Sequence, residues 1–558
     1  MTNKNTAFLA ILGILILSSC SREQSTSTGW DYNNRKQGGF EKMDKSEQIP
    51  GPGLMFVEGG RLTMGRIEED VMSDWNNISK TVSVSSFYID ETEVRNMDYV
   101  EYLHWIKRHY VPNDGPFFVA SRVQIYINAL PDTLVWRDKL GENEMFLNNY
   151  LRHPAYREYP VVGVSWEQAN DYCIWRTDRV NERILINAGL LMEVTHEDRE
   201  NIEYAFTTDG YLHGPLSYLE LFVTDDQKKR IRNIVALKDN DEGRYTNMED
   251  GLLLPNYRLP TEAEWEHAAL GYIGNNIGEN HNNRKVYPWS FDERNPSCES
   301  DGLRNGTRKN QGKMMANFKR GRGDNMGIAG SLNDEADITA PVRSYWPNDY
   351  GLFNMAGNVS EWVADVYRPI TEQTTTADHR PFRGNVFKTA LLDANGQNKI
   401  DTQGHITQTE VKDINIYRRN YKKSNNINYL DGDIESQMGG TIKDLDENDT
   451  ADVSTINIDK RNLGKDTSGF DVNVKDFGNS NEMYDYGNTT LISDKSRVYK
   501  GGSWKDRAYW LSPGTRRFLD QSQSTDCIGF RCAMDRVGPS KSELKQNQRI
   551  EVDYSKSK

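Results

Sequence analysis

Tyr350-Gly351-Leu352-Phe353-Asn354-Met355-Ala356-Gly357-Asn358-Val359-Ser360-Glu361-Trp362 is the stretch that decides the fold. Glycines set beside asparagines and a tryptophan suit tight turns packed into a compact, loop-rich body, because Gly and Asn tolerate backbone conformations that other residues avoid. Four further segments share this character: Phe56-Val57-Glu58-Gly59-Gly60 with Met64-Gly65, Pro160 to Trp166, Tyr257 to Glu266, and Gly501-Gly502-Ser503-Trp504 with Gly529-Phe530-Arg531-Cys532.

Between them lie ordinary elements. Met55–Gly65 and Val82–Asp90 each read as a strand, the second with serines punctuating its apolar positions. Glu93 to Tyr110 reads as an amphipathic helix with Tyr99, Leu103 and Ile106 on one stripe. Ser165-Trp166-Glu167-Gln168 and Thr261-Glu262-Ala263-Glu264 are capping boxes, and Gly271 is a natural stop for the second helix. Residues 184–250 are charged and irregular. Residues 370–493 are rich in Asn, Asp, Lys, Thr and Gly and too polar to build a core, so they read as a surface excursion. The division expected is residues 1–19 as a signal, 20–53 as a polar tether, 54–536 as one domain carrying those two insertions, and 537–558 as a polar tail.

The chain has 558 residues and a net charge of −14. That acidic balance argues against nucleic acid as a partner, since phosphate would be repelled. Of five cysteines, Cys527 and Cys532 are too widely spaced for a zinc knuckle and no Cys/His pair stands near them.

At the N-terminus, Lys4 precedes an apolar run from Ala7 to Leu17, about half the ~20 residues needed to span a bilayer. Leu17-Ser18-Ser19-Cys20 follows and resembles a bacterial lipobox. The expectation is an exported chain, cleaved and acylated at Cys20, held to outer-membrane lipids from the periplasmic side.

Taken together and in order, the five segments resemble the formylglycine-generating enzyme family, over about residues 54–536. The resemblance implies an α+β, decorated C-type-lectin-like fold with little regular secondary structure. Active members carry two reactive cysteines, three and eight residues after the serine of the Gly-Gly-Ser turn. Here those positions hold Asp506 and Leu511, neither of which can act as a thiolate or ligate copper. A non-catalytic domain without copper is therefore expected. The resemblance also implies two structural calcium sites, one at Asn354, Gly357, Val359 and Glu361, the other at Asn317, Phe318, Asp334 and Ala336. Such mixed side-chain and carbonyl oxygens suit Ca²⁺; the alternative is that Asn354 and Glu361 merely cap a turn. It further implies a disulfide between Cys173 and Cys532.

Thr28-Gly29-Trp30-Asp31-Tyr32-Asn33 with Gly38-Gly39-Phe40 resembles the mature start of Bacteroidetes gliding-motility lipoproteins. Length and the Asn-rich excursion are most similar to the GldJ type, with the shorter GldK/PorK type as the alternative. This implies a structural role in gliding and type IX secretion, with other proteins of that machinery, the sister lipoprotein GldK among them, as partners. An enzyme built on Asp506 and Arg507, or a glycan-binding module using the same cleft, stays open.

Overall fold

The computed structural model describes residues 23–34, 36, 40, 42, 48–65, 77–110, 120–138, 142–193, 205–227, 245–271, 285–289, 302–320, 336, 338–370, 388–401, 405–410 and 495–538. Along the chain run strands β1 (Leu54–Val57), β2 (Gly60–Met64), β3 (Lys80–Val84) and β4 (Phe87–Asp90), then helices α1 (Asn96–Tyr110), α2 (Ala120–Ala129), α3 (Glu144–Asn149), α4 (Trp166–Asn187), α5 (Thr208–His213) and α6 (Leu216–Leu219). Strand β5 (Tyr257–Arg258), helix α7 (Glu262–Leu270) and strands β6 (Ser360–Val366), β7 (Lys388–Ala390), β8 (Gln408–Glu410), β9 (Ser496–Lys500), β10 (Arg517–Asp520), β11 (Ile528–Gly529) and β12 (Ala533–Asp535) follow. The fold is α+β, with short elements separated by long irregular segments.

Two four-stranded sheets organise the body. One has the order β1-β4-β12-β5, all antiparallel; the other has β10-β9-β6-β11, with only β11 parallel to its neighbour. The first sheet therefore unites the start of the domain with its end. The sequence suggested single strands at 55–65 and 82–90, and each is in fact broken in two. Gly59 lies against the backbone of Ser85 and Ser86, where a Cβ would come within 2.3 Å, and its N–H donates to the Ser86 hydroxyl. This close crossing turns both strands at once, so β2 and β3 leave as a separate ribbon.

Helix α1 buries Tyr99, Leu103 and Ile106, the stripe expected from their spacing. They join Tyr172 and Cys173 of α4 and Phe530 in one core cluster. Both capping boxes form, at Ser165/Gln168 and Thr261/Glu264, and Gly271 ends α7 in the left-handed conformation. Helix α7 sits over a second cluster with β2, β3 and β6. Between these helices and sheets lies a buried charge network: the Lys500 ammonium donates to Glu262 at 3.3 Å and Glu266 at 3.1 Å, and Arg516 donates to Glu262 at 2.8 Å. Burial alone would raise the Glu262 carboxyl, but the two cations hold it below its ordinary range.

The first insertion is not merely irregular. Leu185, Leu190, Leu191, Phe206, Tyr211, Tyr218, Phe222 and Leu253 form a core of their own. Its apolar residues are spread too thinly along the chain to show a helical period, and only the tertiary fold gathers them. The described part of the second insertion, the β7–β8 hairpin with its connection, docks on this subdomain. Gln397 exchanges two hydrogen bonds with the Ala205 backbone, and His405 reaches Asp171 of α4 at 2.8 Å. Part of the expected tether is also folded: among its described residues, Tyr32 N–H donates to Glu23 O and Asn33 N–H to Phe40 O. No helix among the described residues is long and apolar enough to cross a membrane.

Candidate functional site

The turn that follows β9 carries the residues on which activity would rest. Gly501 has φ +97°, and a Cβ there would meet the Trp265 ring at 3.0 Å, so the chain can pass only as glycine. Ser503 is wholly buried and donates to the Asp506 carboxylate at 2.6 Å. Asp506 in turn accepts two bonds from the Arg517 guanidinium of β10, at 2.7 and 2.6 Å. Arg517 also donates to Ser360 Oγ and lies over the rings of Tyr499 and Trp510. The exposed neighbour Arg507 takes no part in this pair. Leu511 is fully buried among Met314, Met315, Phe318 and Ala356. The two positions that the family resemblance assigns to reactive cysteines thus hold a neutralised carboxylate and an apolar plug.

Beside this turn lies the loop Asn354–Val359. Asn354 and Asn358 sit at φ +52° and +63°, the left-handed region that asparagine tolerates better than most residues. Gly357, at φ +79°, faces the Asn317 carbonyl oxygen, which a Cβ would approach to 2.4 Å. Both asparagine amides converge on Glu93, Asn354 donating to one carboxylate oxygen at 3.1 Å and Asn358 to the other at 3.0 Å. Glu93 is 1% exposed, and burial pushes its carboxyl up to about 8, Arg531 opposing and Glu361 reinforcing the shift. Sequence reading placed Glu93 at the start of a helix and missed it as a site residue. The available signal was weak: a carboxylate three residues beyond the strand-like run Phe87-Tyr88-Ile89-Asp90.

Glu361 has another task than the one expected of it. Both its oxygens accept from Arg531, each at 2.6 Å, and one also accepts from Trp265 Nε1 at 2.7 Å. Its lone pairs are committed to a buried guanidinium. Glu93 and Glu361 together face one guanidinium, so the pocket holds one surplus carboxylate. Both Glu93 oxygens already accept amide N–H groups, and Asn354 turns its Nδ2 rather than its oxygen toward them, so as arranged these groups form a hydrogen-bonded cluster and not a set of hard oxygens facing a divalent cation.

The second expected set is only partly placed. The Asn317 amide donates to the Ile338 carbonyl at 2.8 Å and to Asn358 Oδ1 at 3.3 Å, and Phe318 is buried nearby. Ala336 is half-buried and lines a cavity of about 490 Å³ with Tyr156, Tyr159, Lys313, Tyr345 and Trp346. Asp334 lies outside the described residues, as do Cys20 and Cys298. Asn358 ties the two expected sets into one network, since it also bonds the Ala340 backbone in both directions. Among the described residues, no three His, Cys, Asp or Glu side chains converge as a metal site.

Cys173 and Cys532 are brought together. Their sulfurs stand 3.5 Å apart, unbonded and buried, on α4 and on the segment leading to β12. Cys527 instead donates to Asp526 Oδ1 at 3.1 Å.

Comparison with known proteins places this architecture. The chain is 36% identical over 129 residues to the formylglycine-generating enzyme of Streptomyces coelicolor, covering 23% of this chain and 32% of that enzyme. It is 32% identical over 329 residues to the formylglycine-generating enzyme of Mus musculus, covering 56% of this chain and 58% of that enzyme. The inactive Cα-formylglycine-generating enzyme 2 of Bos taurus is 33% identical over 377 residues, covering 64% of this chain and 85% of that protein. The chain thus spans less than two thirds of the first two relatives and most of the inactive one. The profile of the sulfatase-modifying factor enzyme 1-like domain matches residues 39–427, well over half of the sequence, and the chain belongs to that family.

Proposed function

We propose that this protein is a non-catalytic, lipid-anchored structural component of a gliding-motility and type IX secretion apparatus, seated at the periplasmic face of the outer membrane. The observation that carries the non-catalytic part is the Asp506–Arg517 pair. Oxidative chemistry at this turn needs a thiolate, and a carboxylate locked to a guanidinium supplies neither a nucleophilic sulfur nor a soft metal ligand. Leu511, buried on all sides, removes the second thiol. Similarity over most of a relative named as inactive agrees with this reading. The location rests on the Leu17-Ser18-Ser19-Cys20 sequence and the role on the Thr28–Phe40 motif.

Calcium, which the family resemblance implies for this loop, would have to turn the Asn354 amide oxygen inward and displace the N–H donors of Glu93, and would then pin a loop that has no regular structure. A sulfatase-derived peptide incubated with purified protein, oxygen and copper should stay unmodified. A deletion strain should lose gliding and secretion, and Cys20→Ser should abolish incorporation of a fatty-acid analogue. Formylglycine in the peptide would overturn the first statement. Normal gliding and secretion would overturn the second, and equal labelling of the mutant the third.

A further inference from the structure

The motif from Thr28 to Phe40 does no work in the site described above. Its described residues, with residues 23–27 and Lys42, make a turn that holds itself together. Ser25 and Trp30 pair through the Ser25 N–H at 2.8 Å, and Asn33 bonds the Lys42 backbone with both ends of its amide, at 2.7 and 3.0 Å. Tyr32 and Phe40 are in ring contact at 5.7 Å, and Lys42 closes the turn on Glu23 and over the Tyr32 ring. A turn with so many internal bonds is a shaped object, yet its largest apolar groups point outward. Trp30 is 57% exposed and Phe40 65% exposed.

The position of the turn in the chain limits what can cover those rings. Two residues, Ser21 and Arg22, separate Glu23 from Cys20, and three Cα–Cα steps span at most ~11 Å. An acyl chain on Cys20 would therefore hold Glu23, where the turn begins, close to the headgroup region. Charge agrees with this. Residues 21–42 carry Arg22, Arg35, Lys36 and Lys42 against Glu23, Asp31 and Glu41, a net of 4 − 3 = +1, where the full chain is −14. Tryptophan is favoured at such an interface, where one edge of the ring is apolar and its N–H stays wet. We infer that the turn formed by the described residues between Glu23 and Lys42 is a membrane-seating element, with Trp30 and Phe40 inserted at the lipid interface and Lys36 and Lys42 toward anionic headgroups. This rests on acylation of Cys20. It adds a second attachment to the acyl chains and fixes how the first folded residues meet the bilayer.

The test uses the full acylated chain in vesicles of phosphatidylethanolamine and phosphatidylglycerol with bromine at shallow acyl positions. Wild-type protein should show a quenched tryptophan component that Trp30→Phe removes. Phe40→Ala should reduce it, and Lys36→Glu should weaken it more at low salt than at high salt. Quenching unchanged in Trp30→Phe overturns the inference. So does a Trp30 that stays unquenched in lipid and becomes shielded only when membrane proteins are added, which would assign the motif to a protein partner. The mass of the Cys20 peptide from the same sample reads acylation separately. An unmodified Cys20 removes the ground of the inference, whatever the fluorescence shows.

Discussion

Asp506 and Arg517 face each other across the turn after β9 as a two-point ion pair, at 2.7 and 2.6 Å, with Ser503 donating to the same carboxylate. The pair fills the place where a family of oxidising enzymes would carry sulfur. Hydrogen bonds to charged groups contribute about 1.5–3 kcal/mol each, and losing one partner leaves the other uncompensated. Asp506→Ala should therefore destabilise the domain by about 2–3 kcal/mol in urea unfolding, and Asp506→Cys by a similar amount. The double variant Asp506→Cys/Leu511→Cys should remain inactive toward sulfatase peptide, since Arg517 would still occupy the turn. Turnover by the double variant would refute this.

Glu361 and Arg531 are both fully buried. Breaking a buried pair costs about 3–5 kcal/mol because a charge is stranded without water. Glu361→Ala should lose about that much stability, with or without calcium present. A loss confined to calcium-loaded protein would instead make Glu361 a calcium ligand.

The Glu93 carboxyl is raised by burial from 4.5 to about 8. The folded state thus binds a proton more tightly than the unfolded chain does. Stability contributed by this group is present below pH ~4.5, falls as pH rises, and is lost above about 8. A divalent cation that displaced the two asparagine amides from the ionised carboxylate would cancel that loss. Melting temperature should then depend on chelator more at pH 8.5 than at pH 5, and Glu93→Gln should flatten both dependences. Equal chelator effects at both pH values would count against calcium here.

His405 joins the second insertion to α4 through Asp171, with Glu167 at 3.7 Å. The bond to Asp171 raises the imidazole above its ordinary value, and burial opposes the shift. A raised histidine stabilises fully below pH ~6.5 and ceases to as pH passes its folded value. Amide exchange in residues 388–410 should therefore quicken as pH rises beyond that, after correction for the intrinsic rate. His405→Ala should show fast exchange at every pH. Exchange of the hairpin that does not respond to either change would rule out a docking role for His405.

Cys173 and Cys532 need only a small approach to bond, and oxidation would close a loop of 359 residues. Chain entropy bounds the gain at roughly 6 kcal/mol. Peptide mapping without reductant, on protein from the periplasm, should yield a Cys173–Cys532 crosslink. Free thiols at both positions would exclude it.

Several parts of the molecule were legible residue by residue. The stripe of Tyr99, Leu103 and Ile106, the two capping boxes and the stop at Gly271 follow from local chemistry, where a few neighbours decide the conformation. So did the family, because turn residues report backbone shape directly, and so did the identities Asp506 and Leu511 at the decisive turn. What those identities do was settled only in three dimensions. Arg531, Glu93 and Asn358 lie far along the chain from their partners, Arg517 reaches Asp506 across an irregular turn, and nothing in their local sequence names them. Glu361 reads alike whether it faces a cation or a guanidinium; it took the packing of the Phe530–Cys532 segment against β6 to bring Arg531 to both of its oxygens. The core of the first insertion stayed hidden for the same reason: its apolar residues have no period along the chain and meet only when α4, α5 and α6 fold together.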